Sequence, residues 1–448
     1  MGDTCAVLEW AASGAMALTG MPQGAPVASP APALALLAEV TAEFARATEA
    51  SGTAVHADPA ELVAGRAALA GLARGGRVSA GGSSFLLRAA DGWCAVTVSR
   101  PDDIAAVPAI AGLLGVAGAG LSGTETRAQA RTALAALALQ VTAADLAAAA
   151  QLLGVPAAAL PAGARPPAAG AAAPGGAVSW PPWRTGRIAA PADGARLAGA
   201  VVADLSSMWA GPVCARLLGL AGAKVIKVES PARPDGARSG NREFFDWLHA
   251  GHRSVAVDFG TRAGQEILAE LLEVADIVIE ASRPRALAAA GLAPDMIWHR
   301  PGQVWLSITG YGRALPDRVA FGDDAAVAGG LVGWTADGPV FCADAIADPL
   351  AGACGALAVA LSRSAGGGEL IDLSMRDVAA AFAAAALDHG PHRVLPGGSV
   401  TCPRSRREQE VLPPRWPAPP GGAASSAPGL GADTSAVLTW LAGRRAAC

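Results

Sequence analysis

The sequence predicts an α/β protein in which a large domain with a parallel sheet follows a smaller α+β domain. From residue 200 onward, short apolar or β-branched runs alternate with helical stretches, which is the pattern of βαβ crossovers. A hairpin pattern and further helical stretches precede this region. At 448 residues, the chain is long enough for two or three domains with sizeable cores.

Composition excludes several classes of protein. A formal charge of −4 gives no basic surface for nucleic acid or for a membrane. The N-terminus, MGDTCAVLEW, lacks a basic signal region, and the uncharged run 104–124 contains Pro108 and five glycines. Seven cysteines show neither CxxC nor histidine-paired spacing, which predicts no metal site and no disulfide framework. We therefore expect a soluble, cytoplasmic protein.

Residues 1–160 are predicted to form the small α+β domain, together with a remnant of a large-domain segment at 13–26. An apolar face predicts a helix over 34–48. Residues 84–100 predict two strands around a turn at Asp91-Gly92. Further helices are expected at 102–114, at 125–139 and, with Thr142 as cap, at 142–153.

Two stretches rich in proline and glycine predict linkers. Residues 161–195 are Pro-, Gly- and Ala-rich and separate the two domains. Residues 389–448 contain a second such stretch with the basic patch PRSRR, followed by a short helix over 435–441. We interpret the basic patch as a solvated part of the linker.

Residues 196–388 are predicted to form the Rossmann-like large domain. Strands are expected at 201–205, 224–229, 276–281 and 304–309, and helices at 211–220, 261–275 and 286–299. Ligands of such sheets bind at the carboxyl ends of the strands. The loops after Asp204, Glu229, Ala281 and Thr309 should therefore share one rim.

Several well-known chemical motifs are missing from this region. The turn after the first strand reads SSMWAGP and not GxGxxG, and the chain has no P-loop, no GxSxG and no HExxH. The polar and aromatic residues of the rim predict an acidic or phosphorylated ligand without naming a reaction. They are Trp209, His252, Arg253, Arg283, Thr309 and Tyr311, with Asp323, Asp324, Asp344 and Asp348.

Asp348 is the acidic residue with the most distinctive context. It is followed by Pro349 and a run of small apolar residues, which is the pattern of a helix N-cap with proline in the first position. From this context alone, Asp348 is a helix cap or a catalytic carboxylate.

Several collinear blocks resemble the class III CoA-transferases of the CaiB/BaiF type, relatives of formyl-CoA transferase and α-methylacyl-CoA racemase. The blocks are VVADLSSMWAGPVCARLLGLAGAKVIKVESP (201–231), WLHAGHRSVAVDFGTRAGQEILAELLEVADIVIEASRP (247–284), VWLSITGYG (304–312) and GELIDLSMRDV (368–378). They cover about 190 residues in the family's order. Several matches in order are far more specific than any one of them.

This resemblance implies a reaction and a site. Asp348 falls on the family's catalytic aspartate, which would move CoA from an acyl-CoA to a small carboxylic acid through aspartyl anhydride and thioester intermediates. A helix N-terminus would keep its carboxylate ionised. No permanently bound cofactor is implied, since coenzyme A is a substrate, and the family forms interlocked homodimers. The implied CoA-binding set is Trp209, Ala210, His252, Arg253, Ser282, Arg283, Thr309, Gly310 and Tyr311.

The sequence also departs from the family. The segment resembling the family's small domain lies at 87–156, ahead of the large domain, which implies a circular permutation or a tandem duplication. His252, Ser230 and Ala289 replace basic residues of relatives, and FGDD (321–324) lacks the racemases' catalytic histidine. Two alternatives stay open: an acyl-CoA racemase or isomerase on the same fold, and a CoA-binding homologue without catalysis.

Overall fold

The chain is seen in a computed structural model, and its helices and strands are numbered here along the sequence. The structure describes residues 5–30, 32–116, 122–164, 180–281, 284–385, 392–395, 398–419 and 426–445. Within these ranges, no helix is both long enough and apolar enough to cross a membrane.

Three helices open the chain: α1 (Ala6–Ala12), α2 (Pro32–Glu49) and α3 (Pro59–Ala70). The apolar face over 34–48 predicted α2, whereas α3 was not predicted. Asp58 caps α3 by accepting the Ala60 N–H, and Pro59 takes its first position. Apolar side chains of all three helices join the same hydrophobic core as the large sheet. This packing places the front of the chain against the large domain.

A small α+β unit follows, with a hydrophobic core of its own. Its elements are β1 (Ser84–Arg88), β2 (Trp93–Thr97), α4 (Pro101–Ala105), α5 (Val107–Leu113), α6 (Arg127–Ala138), α7 (Ala143–Leu152) and β3 (Ala157–Ala159). The predicted hairpin is confirmed, with Ser84 opposite Thr97. The single helix expected at 102–114 is two helices, because Pro108 has no N–H to continue the first one. Thr142 caps α7 as predicted, through the Asp145 N–H.

The next part of the chain builds most of the large sheet. Its elements are β4 (Trp183–Arg187), β5 (Val201–Asp204), α8 (Ala210–Leu220), β6 (Lys224–Glu229), α9 (Arg242–His249), β7 (Arg253–Ala256), α10 (Arg262–Val274), β8 (Ile277–Glu280), α11 (Pro284–Ala289) and β9 (Val304–Thr309). The helix predicted over 286–299 is wrong beyond Ala289. Gly291 has a positive φ and Pro294 follows, and neither residue suits a helix interior.

The chain then returns to the sheet and ends in a small sheet and a helix. These elements are α12 (Gly322–Ala328), β10 (Gly333–Thr335), β11 (Gly338–Val340), α13 (Ala347–Ser364), β12 (Glu369–Ser374), α14 (Met375–Ala383), β13 (Arg393–Val394), β14 (Ser399–Thr401), β15 (Glu408–Glu410) and α15 (Thr434–Arg445). The terminal helix expected at 435–441 is confirmed, and Val437 and Leu441 bury its apolar side against the sheet.

The central sheet has seven strands in the order β4-β12-β9-β8-β5-β6-β7. All neighbours are parallel except β4, which runs antiparallel to β12 at one edge. The predicted α/β class is therefore confirmed. Strand β4 lies inside the stretch 161–195 that was predicted to be a linker, so residues 183–187 correct that prediction.

Candidate active site

Asp348 lies in the first turn of α13, at the carboxyl side of the parallel sheet. The helix begins at Ala347 and Ile346 is its N-cap, so of the two alternatives for Asp348 the helix cap is not the one found. The Asp348 N–H donates to the Ala345 carbonyl at 2.9 Å. Its side chain is partly buried and points toward the backbone of Gly322, where a Cβ atom would collide with the Asp348 Oδ2. Because residue 322 is glycine, its own backbone can lie close to the Asp348 carboxylate.

Arg66 of α3 supplies the positive charge next to this carboxylate. Its guanidinium makes a two-pronged ion pair with buried Asp344, through Nε to Oδ2 at 2.8 Å and Nη2 to Oδ1 at 2.6 Å. Two parallel N–H bonds of this kind fix a guanidinium in position. Arg66 therefore holds a positive charge beside Asp344, and this charge also acts on Asp348.

Two further carboxyl groups come from the start of α12. The Asp323 Oδ2 accepts the Ser84 hydroxyl at 2.8 Å, and its Oδ1 accepts the Ala345 N–H at 3.1 Å. The Asp324 Oδ1 accepts the Thr97 hydroxyl and the Phe321 N–H, both at 3.0 Å. The hydroxyls come from β1 and β2, so the small unit contributes directly to the carboxylate cluster.

Burial and neighbouring charges set the protonation of these acids. Burial raises the pKa of Asp348 to about 7; the Arg66 charge opposes the rise, whereas Asp323 and Asp344 add to it. Burial likewise raises the pKa of Asp324 to about 8, against the hydrogen bonds it accepts. The helix N-terminus was expected to keep the Asp348 carboxylate ionised; desolvation acts against this by raising its pKa. Near neutral pH, Asp348 is present in both its acid and its nucleophilic form.

The N-terminus of α8 forms a second side of this site. Trp209 is buried, packs edge-on against Phe244 at 5.5 Å, and carries the Arg66 guanidinium 4.9 Å above its ring. Its indole N–H has no hydrogen-bond partner within the described ranges. The Ala210 carbonyl lies 2.5 Å from where a Cβ on Gly352 would stand, so α8 and α13 touch one turn beyond Asp348. Trp209 thus contacts Arg66, and Ala210 adjoins α13 at Gly352; their role as CoA contacts stays a prediction.

The backbone around the site adopts conformations that are rare for residues with a side chain. Ala343 and Ala345, on either side of Asp344, have φ values of 51° and 40°, and Met208 has 71°. Such positions cost about 1–3 kcal/mol each and cluster at functional sites. Asp235 fixes the Met208 turn by accepting its N–H at 3.0 Å, and Asp235 is itself paired with buried Lys227 at 2.9 Å.

Thr309, Gly310 and Tyr311 lie at the carboxyl end of β9, next to a cavity of about 450 Å³. The Thr309 hydroxyl accepts the Gly312 N–H at 2.8 Å, and the Tyr311 hydroxyl donates to the Ala157 carbonyl at 3.2 Å. The cavity is lined by Tyr311, Gly312, Arg184, Arg376 and residues near them. Asp348 does not line it, and a larger cavity of about 690 Å³ lies on the small unit, away from these residues.

His252 and Arg253 are not on the rim where they were predicted. Arg253 begins β7 and His252 precedes it, so both lie toward the amino-terminal side of the sheet. Burial, reinforced by Lys227 and Arg216, lowers the pKa of His252 to about 3. A neutral imidazole at this place offers a phosphate no positive charge. Ser282 and Arg283, also in the predicted binding set, lie outside the described residues.

The rim itself is confirmed by the strand register. The loops after Asp204, Glu229, Ala281 and Thr309 all leave the carboxyl ends of parallel strands. Three site residues were not predicted: Arg66, Ser84 and Thr97. One signal in the sequence could have identified Arg66. The Asp58-Pro59 pair marks the start of α3 (PAELVAGRAALA), and Arg66 is the single charged residue in the otherwise apolar second half of that helix.

Comparison with known proteins identifies the family of this region. Residues 197–413, slightly less than half of the chain, match CoA-transferase family III. Together with the curated relatives below, this match places that segment in CoA-transferase family III.

The curated relatives are CoA-transferases that the chain matches over part of their length. It is 31% identical over 191 residues to succinyl-CoA–D-citramalate CoA-transferase of Chloroflexus aurantiacus, covering 39% of this chain and 48% of the relative. It is 31% identical over 198 residues to formyl-CoA:oxalate CoA-transferase of Escherichia coli, covering 40% and 48%. The chain therefore spans about half the length of these relatives.

A solved structure, that of a CAIB/BAIF family protein from Brucella suis, is 28% identical, with a TM-score of 0.38. The match covers 43% of this chain and 55% of that one.

Proposed function

We propose that the protein is a class III CoA-transferase that uses Asp348 as its nucleophile. The observation that carries the proposal is the setting of this carboxylate. It lies in the first turn of α13, beside the Gly322 backbone, with the Arg66 charge acting on it and with Trp209 close by. A carboxylate near a fixed cation and backbone amides can attack a thioester and have its oxyanion stabilised.

The reaction runs as two exchanges at one side chain. The ionised Asp348 oxygen attacks the acyl carbonyl of the donor, the carbon–sulfur bond breaks, and CoA leaves as a thiolate. The thiolate then attacks the Asp348 carbonyl carbon, which releases the donor acid and leaves an aspartyl-CoA thioester. The acceptor carboxylate repeats these steps in reverse and restores Asp348. The positive charge of Arg66 stabilises the negative charge that develops on the oxygen in each anhydride-forming step.

Coenzyme A acts here as a substrate and not as a resident cofactor. Trp209 and Ala210 support an acyl-CoA site at the α8 N-terminus. Trp209 contacts Arg66, whose charge acts on Asp348, and Ala210 lies against Gly352, one helical turn after Asp348. The cavity next to Tyr311 is a second candidate for acyl-CoA binding, because two arginines, Arg184 and Arg376, also line it. Ser282 and Arg283 stay predicted contacts.

Assembly and location are part of the same proposal. The resemblance implies a homodimer, which light scattering during gel filtration would detect. A reducing cytoplasm suits the buried thiols of Cys94, Cys214, Cys342 and Cys354.

An exchange assay tests the proposal. A panel of acyl-CoAs is mixed with isotope-labelled carboxylic acids, and the transfer of label into acyl-CoA is followed by mass spectrometry. We expect transfer with wild type, loss of at least about 1,000-fold in Asp348→Asn and Asp348→Ala, and wild-type rates in Asp337→Asn. Asp337 is a matched control because it is exposed in the turn between β10 and β11. Undiminished transfer in the Asp348 variants would rule out the mechanism.

An acyl-CoA racemase or isomerase is the second candidate. The pKa of about 7 at Asp348 and that of about 8 at Asp324 suit general acid–base work near neutral pH. Exchange of the α-proton of an acyl-CoA with deuterated water, without any acceptor acid, would favour it. CoA binding by calorimetry with neither activity would instead favour a non-catalytic homologue.

A further inference from the structure

Three side chains that are typical metal ligands meet where the segment before α1 lies against the sheet of β13, β14 and β15. Cys5, His392 and Cys402 each direct one ligand atom toward the others, and these atoms lie within 4.8 Å of one another. The Cys5 Sγ lies 2.9 Å from the His392 Nε2. Both thiols are buried, with Cys5 4% and Cys402 0% exposed. This cluster is separate from the carboxylates around Asp348.

The local backbone holds each ligand in place. Cys5 is the residue before α1, and His392 is the residue before β13. Cys402 follows β14 and begins a tight turn, in which its N–H donates to the Arg407 carbonyl and its carbonyl accepts the Arg406 N–H, both at 2.9 Å. The Ser405 N–H also points at the Cys402 Sγ, at 3.5 Å. This contact helps to fix the position of the Cys402 side chain.

We propose that Cys5, His392 and Cys402 bind a zinc ion. Two thiolates and one imidazole are a ligand set that zinc prefers, with Zn–S near 2.3 Å and Zn–N near 2.0–2.1 Å. Tetrahedral bonds of these lengths place ligand atoms roughly 3.3–3.8 Å apart, within the span of this cluster. The thiols lose their protons when the metal binds, and with three protein ligands a water takes the fourth position.

The sequence predicted no metal site, because no cysteine has the spacing of a zinc motif. Cys5 and His392 are 387 positions apart, so only the folded chain brings them together. The ion would attach the segment before α1 to the sheet of β13, β14 and β15. The Leu412 N–H, two residues after β15, already donates to the Ala11 carbonyl at 2.9 Å. We therefore assign the zinc the role of linking the segment before α1 to the sheet of β13, β14 and β15.

Metal analysis of the purified full-length protein is the first test. Elemental mass spectrometry should find about one zinc per chain, and Cys402→Ala and Cys5→Ala should lose it. Cys354→Ala is the matched control and should keep the zinc, since Cys354 is a buried thiol within α13, outside the cluster. Cobalt added to the chelator-treated wild type should give a thiolate-to-cobalt charge-transfer band, which does not depend on whether the variants fold.

Thermal unfolding gives an independent reading. Adding zinc to the chelator-treated wild type should raise its Tm, whereas the Tm of Cys402→Ala should not change. Three results would overturn the proposal: wild type without zinc and without the cobalt band, zinc retained by both cluster variants, or a Cys5–Cys402 disulfide in peptide maps made without reductant.

Discussion

At the scale of single residues, opposing charges around Asp348 predict how the reaction depends on pH. Burial and the acids at 323 and 344 raise its pKa, Arg66 lowers it, and the result is about 7. The nucleophile is the ionised form, so transfer should increase as the pH rises through about 7 and become constant above it. The log of kcat/KM against pH should therefore rise with a slope near one and then level off. A profile that falls over this range would contradict the assignment.

Variants of Arg66 test the same balance. Arg66→Met removes the charge that lowers the pKa of Asp348, so the midpoint of the profile should move upward by on the order of one pH unit. Arg66→Lys keeps the charge and should keep the midpoint near that of wild type. Arg46→Met is a control on an exposed arginine of α2 and should change nothing. An unmoved midpoint in a folded Arg66→Met would show that Arg66 does not act on Asp348.

The sequence predicted Asp348 as the central carboxylate but did not predict Arg66, Ser84 or Thr97. Asp348 stands in a local pattern and between blocks shared with a family, which is why it could be found. Arg66, Ser84 and Thr97 act on carboxylates more than two hundred positions away along the chain. The periodicity of apolar residues and the spacing of motifs do not show contacts between residues so far apart in the sequence.

At the scale of elements, the close approach of α8 and α13 determines where the site residues stand. A Cβ at Gly352 would lie 2.5 Å from the Ala210 carbonyl and 2.7 Å from the Val213 Cβ. Gly352→Ala should therefore destabilise the protein by about 1–3 kcal/mol, because the two helices must separate. Urea unfolding would measure this loss, and transfer should decrease as Trp209 moves away from Asp348.

Gly112→Ala is the matched control. Gly112 also lies inside a helix, α5, but among the described residues no atom beyond its chain neighbours and the backbone of that helix stands within 4 Å of its ideal Cβ. Alanine there should be neutral or stabilising by about 0.5–1 kcal/mol, because it lowers the entropy cost of forming the helix. If the two variants had equal stability, the contact at Gly352 would not be tight.

Strands with buried side chains on both faces were the best predicted elements. β6 and β9 match their predicted ranges, since both lie between turns and are rich in the β-branched residues that favour strands. Strand β4 was missed because WRTGR is mostly exposed at the sheet edge and shows no apolar run. Helix α3 was missed although its cap and proline were readable, and it carries Arg66.

At the scale of the whole molecule, the front of the chain completes the site of the large domain. Arg66 comes from the first helices and Ser84 and Thr97 come from the small unit, while all four acids belong to the later half. Gln151 and the Val319 backbone join the same two parts by exchanging hydrogen bonds of 2.8 and 2.9 Å. The small unit, although it precedes the sheet in sequence, thus bonds Asp323 and Asp324 within one chain.

Asp324, which accepts a hydrogen bond from Thr97 of the small unit, should make the stability of the protein depend on pH. Its folded-state pKa of about 8 lies far above that of an unfolded aspartate, so the folded chain binds this proton more tightly. Its contribution to stability is therefore complete at low pH and is lost as the pH rises from about 4 to 8. Asparagine does not titrate, so Asp324→Asn lacks this loss. The free energy of unfolding of the variant, relative to that of wild type, should therefore rise by roughly 2 kcal/mol from pH 6 to pH 8.5.

Urea unfolding of both proteins at the two pH values measures that gain. Asp337→Asn, on an exposed turn, should follow wild type at both. If the difference between Asp324→Asn and wild type were the same at pH 6 and pH 8.5, Asp324 would not carry the raised pKa assigned to it.

Intact-protein mass spectrometry after mixing with acyl-CoAs tests the central claim most directly. Wild type should gain the mass of CoA less one water, as the aspartyl-CoA thioester, and hydroxylamine should remove it. Peptide mapping should place the modification on Asp348, and Asp348→Asn should show none. An adduct on another residue, or one that persists in Asp348→Asn, would show that Asp348 is not the nucleophile.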